Sequence, residues 1–409
     1  MAEALRPIVT DGVADVGRSR VLIVSPVPTH PGTAGNRVRI RRLAEAMISL
    51  GHHVEFAHIT RESGDIEAMK AWWGEGYHAV DYLPNGQWQL GVIDRLLRKI
   101  RKKITNNLSV DAWYDPSVDV RLQQILQQGA FDTVVVEYVF MSKALLCMGQ
   151  ETLKVIDTHD VFADRNYRFR ALGQGSNWFS TSRAQERKGL HRADQIIAIQ
   201  EKEALYFRQL QSKPVVTIGD IIELPVLEPA SDSSSRLNQV LLVGSNNPSN
   251  VQAANWLLEE VVPLVNQRVP DVRWTIVGGV VNALKPTSEV EFFDFVESLA
   301  DFFAQSSVVV NPAQVGTGLK IKTIEAMSYA KAVVSTSVGA EGLENGWQSA
   351  LMVADSPEDF AQTLVELLAS DTSAAALGVA GRQFVQTMNE QALERLDSML
   401  LSAVDRSVR

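Results

Sequence analysis

Late in the chain, a loop of small residues runs into a helix that carries two lysines and a glutamate. The residues concerned are Gly316, Gly318, Lys320, Lys322 and Glu325. A glycine loop that opens a helix points free backbone N–H groups and the positive end of the helix dipole at one spot. With the two lysines close by, this pattern predicts a phosphate or diphosphate ligand, with Glu325 accepting hydrogen bonds from hydroxyl groups of the same ligand. A surface loop with solvated lysines is the alternative.

A histidine and an aspartate, His159 and Asp160, follow a predicted strand from Lys154 to Thr158. A His-Asp pair at the carboxyl end of a strand is a plausible catalytic or substrate-orienting element, because histidine can move protons near neutral pH. The alternative is a structural pair whose hydrogen bonds are satisfied within the protein.

Near the start of the chain, Gly35 and Arg39 lie in and after a glycine-bearing loop. The loop comes after the apolar strand Arg20–Val24, and open α/β sheets bind ligands at the carboxyl ends of their strands. This favours a wall that contacts an acceptor or a phosphate over a tight crossover turn with exposed arginines.

Strands and helices alternate in two halves, which predicts an α/β protein with parallel sheets. A Pro- and Ser-rich polar segment, residues 225–238, separates the halves. We therefore expect an N-terminal extension (1–19), a first domain (20–224), the linker, a second domain (239–388) and a C-terminal helix (389–409) that packs back on the first domain. The ligand site is expected in the cleft that the two domains face. The last part of the chain is predicted to form two helices, Ala374–Met388 and Glu390–Val404.

The composition of the chain argues against several classes of protein. The chain has 409 residues and a net charge of −9, which argues against nucleic-acid binding. Its single cysteine, Cys147, allows no intramolecular disulfide and no cysteine-based metal cluster. There is no signal-peptide pattern and no run of about 18 apolar residues, so we expect a cytoplasmic protein.

One segment is basic although the chain as a whole is acidic. In residues 93–108 an apolar stripe is flanked by six lysines and arginines. Such a helix could lie on an anionic membrane at its cytoplasmic face. An ordinary surface helix with a solvated basic face explains the pattern equally well.

Taken together, these motifs resemble the group 1, family 4-like glycosyltransferases of the GT-B fold. The resemblance spans nearly the whole chain after the extension. It is most specific in Gly316, Gly318, Lys320, Lys322, Glu325-Ala326-Met327, Val333-Val334, Ser335-Thr336 and Gly339-Ala340-Glu341-Gly342-Leu343. Weaker matches are Gly35 to Arg39, Asp157 to Asp160, Ala193-Asp194 with Glu201 to Glu203, and Gly244-Ser245 with Pro248 to Asn250.

The resemblance implies two Rossmann-like domains and transfer of a sugar from a nucleotide-sugar donor to a glycan, lipid-linked or small-molecule acceptor. It implies no cofactor and no metal, and retention of configuration at the sugar. Donor-binding residues would be Gly35, Arg39, Gly244, Ser245, Gly316, Gly318, Lys320, Lys322, Glu325, Gly339 and Glu341, with His159 and Asp160 at the reacting centre.

The sequence departs from the family pattern at two places. Thr317 stands where many relatives have a glutamate that touches the donor sugar, and Gly244–Asn250 lacks the basic residue that relatives often carry there. A nucleotide-sugar epimerase and a non-catalytic nucleotide-sugar-binding subunit therefore stay open. A nicotinamide dehydrogenase is disfavoured, because no G-x-G-x-x-G follows Val24 or Val243.

Overall fold

The computed structural model describes residues 17–32, 34–83, 107–171, 178–227, 238–316, 318–343 and 346–407. The chain divides into two compact units, Ile222–Glu390 and a first unit that joins Met1–Ile221 to Gln391–Arg409. Each unit is built on its own parallel sheet. Four predictions fall wholly or largely outside the described residues: the N-terminal extension over 1–19, the basic helix over 93–108, the role of Thr317, and the linker.

The first unit contains a seven-stranded sheet in the order β3-β2-β1-β4-β5-β6-β7. Its strands are β1 (Arg20–Ser25), β2 (His53–Ile59), β3 (Tyr77–Val80), β4 (Thr133–Glu137), β5 (Leu153–Asp157), β6 (Gln195–Ala198) and β7 (Val215–Thr217). Its helices are α1 (Gly35–Ser49), α2 (Ile66–Trp73), α3 (Ser117–Gln128), α4 (Arg165–Ala171), α5 (Arg183–Leu190) and α6 (Glu201–Leu210). All of the strand pairs are parallel, and the order reverses beside β1, as in a Rossmann-like fold.

Burial on both faces explains why the central strands are so apolar. In β4, Val134, Val135 and Val136 are completely buried, as a strand covered by helices on both sides requires. The same strand nevertheless ends in a fully buried carboxylate, Glu137, and its neighbour β5 ends in another, Asp157. These two acids break the apolar pattern at the carboxyl edge of the sheet.

The second unit contains a six-stranded parallel sheet in the order β10-β9-β8-β11-β12-β13. Its strands are β8 (Gln239–Val243), β9 (Arg273–Val277), β10 (Val290–Phe293), β11 (Val308–Asn311), β12 (Ala332–Ser335) and β13 (Met352–Val353). Its helices are α7 (Pro248–Trp256), α8 (Val262–Asn266), α9 (Ala300–Gln305), α10 (Ile321–Ser328), α11 (Pro357–Ala369) and the first part of α12 (Asp371–Ser407). This is again the Rossmann-like order, so the prediction of two Rossmann-like α/β domains is confirmed.

The end of the chain corrects one prediction. Instead of two helices, residues Asp371–Ser407 form the single helix α12. Asn389, at the expected break, has its side chain bonded to the backbone N–H and carbonyl of Ile222, and no proline interrupts the segment. Beyond Glu390 the helix belongs to the first unit, where Leu396, Met399 and Leu400 join the core.

Within the described residues, no single helix is both apolar and long enough to cross a membrane, although Pro357–Ala369 and Asp371–Val404 pass that test as a bent pair.

Candidate functional site

In the second unit, the glycine loop and α10 lie at the carboxyl ends of β8 and β11. Gly316 and Gly318 have φ of 138° and 84°, a region that favours glycine. Lys320 occupies the N-cap of α10, and its ammonium donates to the Gly318 carbonyl at 3.0 Å. The helix itself begins at Ile321, directly after this N-cap residue. The loop therefore folds back on the helix start and keeps one ammonium beside it.

Lys322 lies in the first turn of α10 and is half-buried. Its ammonium donates to the carbonyl oxygen of Val243, the last residue of β8, at 3.1 Å. Burial lowers the pKa of Lys322 to about 8, while the Glu325 carboxylate opposes that shift. A buried cation with a lowered pKa gains from an anion that enters the site, because the anion replaces the lost hydration.

The turn after β12 is tied to the start of α10 by a small polar network. Thr323 Oγ1 donates to the Gly339 carbonyl at 3.0 Å, and Asn311 Nδ2 contacts both that carbonyl (3.2 Å) and Thr323 Oγ1 (2.7 Å). A Cβ at Gly339 would lie 2.3 Å from Ser335 Oγ, so only glycine fits here. The network brings the two predicted glycine turns together within one unit.

Glu341 belongs to that turn and approaches the loop from the other side. Its carboxylate lies 3.8 Å from the Lys320 ammonium. The structure thus brings together Gly316, Gly318, Lys320, Lys322, Gly339 and Glu341. A pocket at this edge is lined by Leu242, Val243, Gly244, Asn250, Ala253, Phe303, Val309, Val310, Asn311, Pro312, Lys322, Thr323, Glu325 and Val333.

Gly244 and Ser245 form the turn after β8. A Cβ on Gly244 would come within 2.8 Å of Val280, which packs against it. Asn250 Nδ2 donates to both the carbonyl and the hydroxyl of Ser245. The turn is short, because Asn247 caps α7 by accepting from the Asn250 N–H and Pro248 occupies the first turn.

In the first unit, His159 contacts the acid that ends β4. Its Nε2 lies 2.5 Å from Glu137 Oε2 and 3.8 Å from Asp157 Oδ2. The imidazole stacks on Tyr138, with ring centroids 4.1 Å apart. Glu137 is completely buried, and burial together with the neighbouring Asp157 raises its pKa. His159 therefore lies in a buried acidic cluster at the carboxyl edge of the sheet.

Arg39, expected at the donor, is held by hydrogen bonds within the first unit. Its guanidinium donates to both carboxylate oxygens of Asp157 at 3.0 Å and to the carbonyls of Ile218 and Gly219. Arg39 is buried, and these bonds use four of the five N–H donors of the guanidinium. The helix-start position, in the first turns of α1, gave no sign that the side chain points inward.

Two further expected site residues lie near the surface. Asp160 accepts from the Val161 N–H and from Arg165 Nε, both at 2.8 Å, so it orders the segment after β5. Gly35 is the first residue of α1 and is exposed.

Sequence reasoning missed the closest partner of His159. Glu137 was not among the predicted site residues, because partners on neighbouring strands are not visible from spacing. Glu137, Asp157 and His159 place one ligand atom each within 4.8 Å of one another. Arg39 and His159 already occupy these carboxylates with charged or polar hydrogen bonds, which is the geometry of an ion-pair cluster.

Two family models match the chain. "Glycosyl transferase 4-like domain" matches residues 34–219, and "Glycosyl transferases group 1" matches residues 238–370. Each match falls within one of the two sheet-bearing units, and together they cover more than half of the chain.

Individual proteins show the same likeness. An uncharacterized 44.6 kDa protein in the cps region of Klebsiella pneumoniae is 24% identical over 372 residues, which are 85% of this chain and 90% of that protein. Sucrose-phosphate synthase from Thermosynechococcus elongatus has a TM-score of 0.60 at 18% identity, covering 92% of this chain and 97% of that one. A mutant of S. aureus TarM, solved with Fondaparinux, alpha-GlcNAc-glycerol and UDP, has a TM-score of 0.61 at 12% identity, covering 92% of this chain and 100% of that one.

Proposed function

Because this chain belongs to the group 1 glycosyltransferases, a family of GT-B fold enzymes, we propose that it transfers a sugar from a nucleotide-sugar donor to a glycan, lipid-linked or small-molecule acceptor. The observation that carries the proposal is the placement of two ammonium groups at the start of α10. Lys320 donates to Gly318 in the glycine loop, and Lys322 donates to Val243 at the end of β8. The donor diphosphate would bind there, with Glu325 on the ribose and Glu341 near the sugar.

Glycosyl transfer requires that the protein stabilise the leaving group. When the bond between sugar and phosphate breaks, negative charge develops on the departing nucleoside diphosphate. Fixed ammonium groups and backbone N–H groups at a helix start stabilise that charge without reorganising. We propose that these groups suffice without a metal, and that the sugar is transferred with retention of configuration.

UDP is the first nucleotide to test, since S. aureus TarM was solved with it. A glycan acceptor is supported by the alpha-GlcNAc-glycerol in that same structure. A role in polysaccharide biosynthesis fits both the proposal and the Klebsiella relative, which is named for a cps region.

The test is a thermal-shift screen of nucleoside diphosphates and nucleotide sugars, followed by transfer assays with glycan and lipid-linked acceptors in the presence and absence of EDTA. A ligand that binds only the folded state raises its melting temperature. We expect a nucleotide sugar to stabilise the protein and to be consumed only when an acceptor is present. Stabilisation without transfer to any acceptor would instead indicate a binding subunit, and conversion of the donor sugar without acceptor would indicate an epimerase.

We also propose that the enzyme works in the cytoplasm and reaches the inner face of the membrane through residues 93–108, on the strength of their basic and apolar sequence. Replacing Arg98, Lys99, Arg101 and Lys102 with glutamine should release the protein from vesicles that contain anionic lipid. Equal sedimentation of wild type and variant with such vesicles would contradict the membrane contact.

A further inference from the structure

The contact between His159 and Glu137 is built by two neighbouring strands. Glu137 ends β4 and pairs in register with Asp157, the last residue of β5. His159 follows Asp157 by two residues, and its imidazole turns back over the edge to reach Glu137 Oε2 at 2.5 Å. The two carboxylates have no exposed surface.

The backbone on both sides of this contact is held in an unusual conformation. Tyr138 and His159 have φ of 71° and 60°, in the left-handed region that non-glycine residues seldom adopt. Such residues carry backbone strain and persist where the surrounding structure holds them in place. Here the stacked rings of Tyr138 and His159, tilted by only 17°, are the visible result. The strained backbone therefore fixes the position of the His159 imidazole.

The two buried carboxylates have different partners. The Arg39 guanidinium donates to both oxygens of Asp157 and so balances that carboxylate. Glu137 is left to His159, which is its nearest hydrogen-bond donor. Among the described residues, Glu137 Oε1 has no hydrogen-bond partner, so the imidazole is the contact that stabilises the acid in the protein interior.

We propose that Glu137 is a positioning residue for His159: its carboxylate accepts the Nε2 proton, which fixes the ring and its tautomer and leaves Nδ1 as the nitrogen that faces a substrate. In the described part of the chain, Nδ1 has no hydrogen-bond partner of its own. With Nε2 protonated, a neutral imidazole presents Nδ1 as an acceptor for a hydroxyl of the sugar or acceptor.

This inference rests on the proposed glycosyl transfer for its catalytic meaning, but its structural part is measured without any substrate. Nitrogen NMR of protein labelled at its seven histidines reports which ring nitrogen carries the proton, and His159→Ala identifies the signal. We expect a protonated Nε2, which donates to Glu137, and an unprotonated Nδ1. An unprotonated Nε2 with the proton on Nδ1 would overturn the proposal.

The chain offers a matched control in His52. Its Nδ1 accepts from the Ser19 N–H and its Nε2 contacts Asp397 at 2.9 Å, so it holds the same tautomer against a different acid. Asp397→Asn should change the His52 signals only. Glu137→Met, which removes the acceptor but keeps the bulk, should mix the tautomers of His159, whereas Glu137→Gln retains an acceptor oxygen and should preserve the ring state.

Measurements of kcat and KM distinguish a positioning role of Glu137 from a purely structural one. Glu137→Met should lower kcat at least tenfold and leave the KM for the donor within about twofold, and Glu137→Gln should recover most of kcat. Equal kcat in wild type and a folded Glu137→Met protein would overturn the role. If no acceptor supports transfer, the proposed function fails while the nitrogen spectra still decide whether Glu137 sets the tautomer.

Discussion

The Lys322 ammonium donates a hydrogen bond to the carbonyl oxygen of Val243, 3.1 Å away. The contact links the first turn of α10 to the carboxyl end of β8, so the cation lies at the sheet edge where Rossmann-like folds bind their ligands. A single carbonyl compensates poorly for the water that a buried ammonium gives up, and the pKa of Lys322 falls to about 8 as a result of that burial. An incoming diphosphate would provide a stronger partner.

Lys322→Met should therefore weaken UDP binding at least tenfold, because a charge-assisted phosphate contact disappears. Isothermal titration calorimetry measures the change. The matched control is Lys331→Met: Lys331 is also a partly buried lysine that donates to carbonyls, those of Ala304 and Ser306, but it lies outside the candidate site. Unchanged UDP affinity in Lys322→Met, or an equal loss in both variants, would remove the diphosphate from this position.

The same lysine should make donor affinity depend on pH. In the free protein Lys322 loses its proton near pH 8, whereas a bound diphosphate favours the charged form. UDP affinity should hence stay level below about pH 8 and fall above it, by up to about tenfold per pH unit. Titrations from pH 7 to 9.5 test this, and Lys322→Met should lose the dependence. A wild-type affinity that is flat to pH 9.5 would contradict the assignment.

Gly339→Ala should destabilise the second unit and weaken donor binding together. The added Cβ would lie 2.3 Å from Ser335 Oγ and 2.5 Å from the Asn311 carbonyl, so the turn must move. Overpacking of this kind costs about 1–3 kcal/mol. Differential scanning fluorimetry with and without UDP measures both effects. Gly149→Ala is the control, since a Cβ there meets nothing within 4 Å and should leave both values unchanged.

His159→Ala should lower turnover more than it lowers donor affinity. The imidazole belongs to the first unit, whereas the diphosphate contacts proposed above all come from the second. Comparison of kcat with the calorimetric UDP affinity tests this expectation. His191→Ala, at an exposed histidine after α5, should leave both unchanged. A His159→Ala enzyme with wild-type kcat would exclude this residue from the mechanism.

Much of the fold was predictable because buried parallel strands are continuous apolar runs. The predicted strands Arg20–Val24 and Lys154–Thr158 agree to within one residue at each end with β1 (Arg20–Ser25) and β5 (Leu153–Asp157). The helix ends were harder, since capping and tertiary contacts decide them. Asn247 caps the start of α7, and Asn389, whose side chain bonds to the backbone of Ile222, lies inside the single helix α12. Neither effect is visible as periodicity.

For the candidate site too, sequence indicated the local arrangement but not the contacts between distant segments. Gly316, Gly318, Lys320 and Lys322 are close in sequence, so their proximity follows from a loop and one helical turn. The contacts between distant segments were missed: Glu137 with His159, and Thr323 with Gly339. For Arg39, its position at the start of α1 indicated a ligand contact but gave no sign of the ion pair that the fold makes with Asp157, 118 residues away.

A second buried acid in the first unit gives a prediction about stability. Glu203 accepts from Gln200 Nε2 through one oxygen, and among the described residues the other oxygen has no partner. Burial, and secondarily Asp160, raises the pKa of Glu203 to about 8 from a usual value of 4.5. Between those two pH values the folded chain binds more protons than the unfolded chain, so this residue's contribution to stability is complete below pH 4.5 and is lost as pH rises through 8.

Glu203→Gln removes that ionisation and should raise the melting temperature relative to wild type, with a difference that grows from pH 5 to pH 8.5. The amide keeps the size of the side chain and can still bond to Gln200. Thermal unfolding monitored by circular dichroism across this pH range measures the difference. Glu394→Gln, at an exposed position on α12, should show no such trend. A melting-temperature difference that does not change with pH would contradict this prediction. Glu203 would then keep one protonation state across the whole range, and its pKa would not lie near 8.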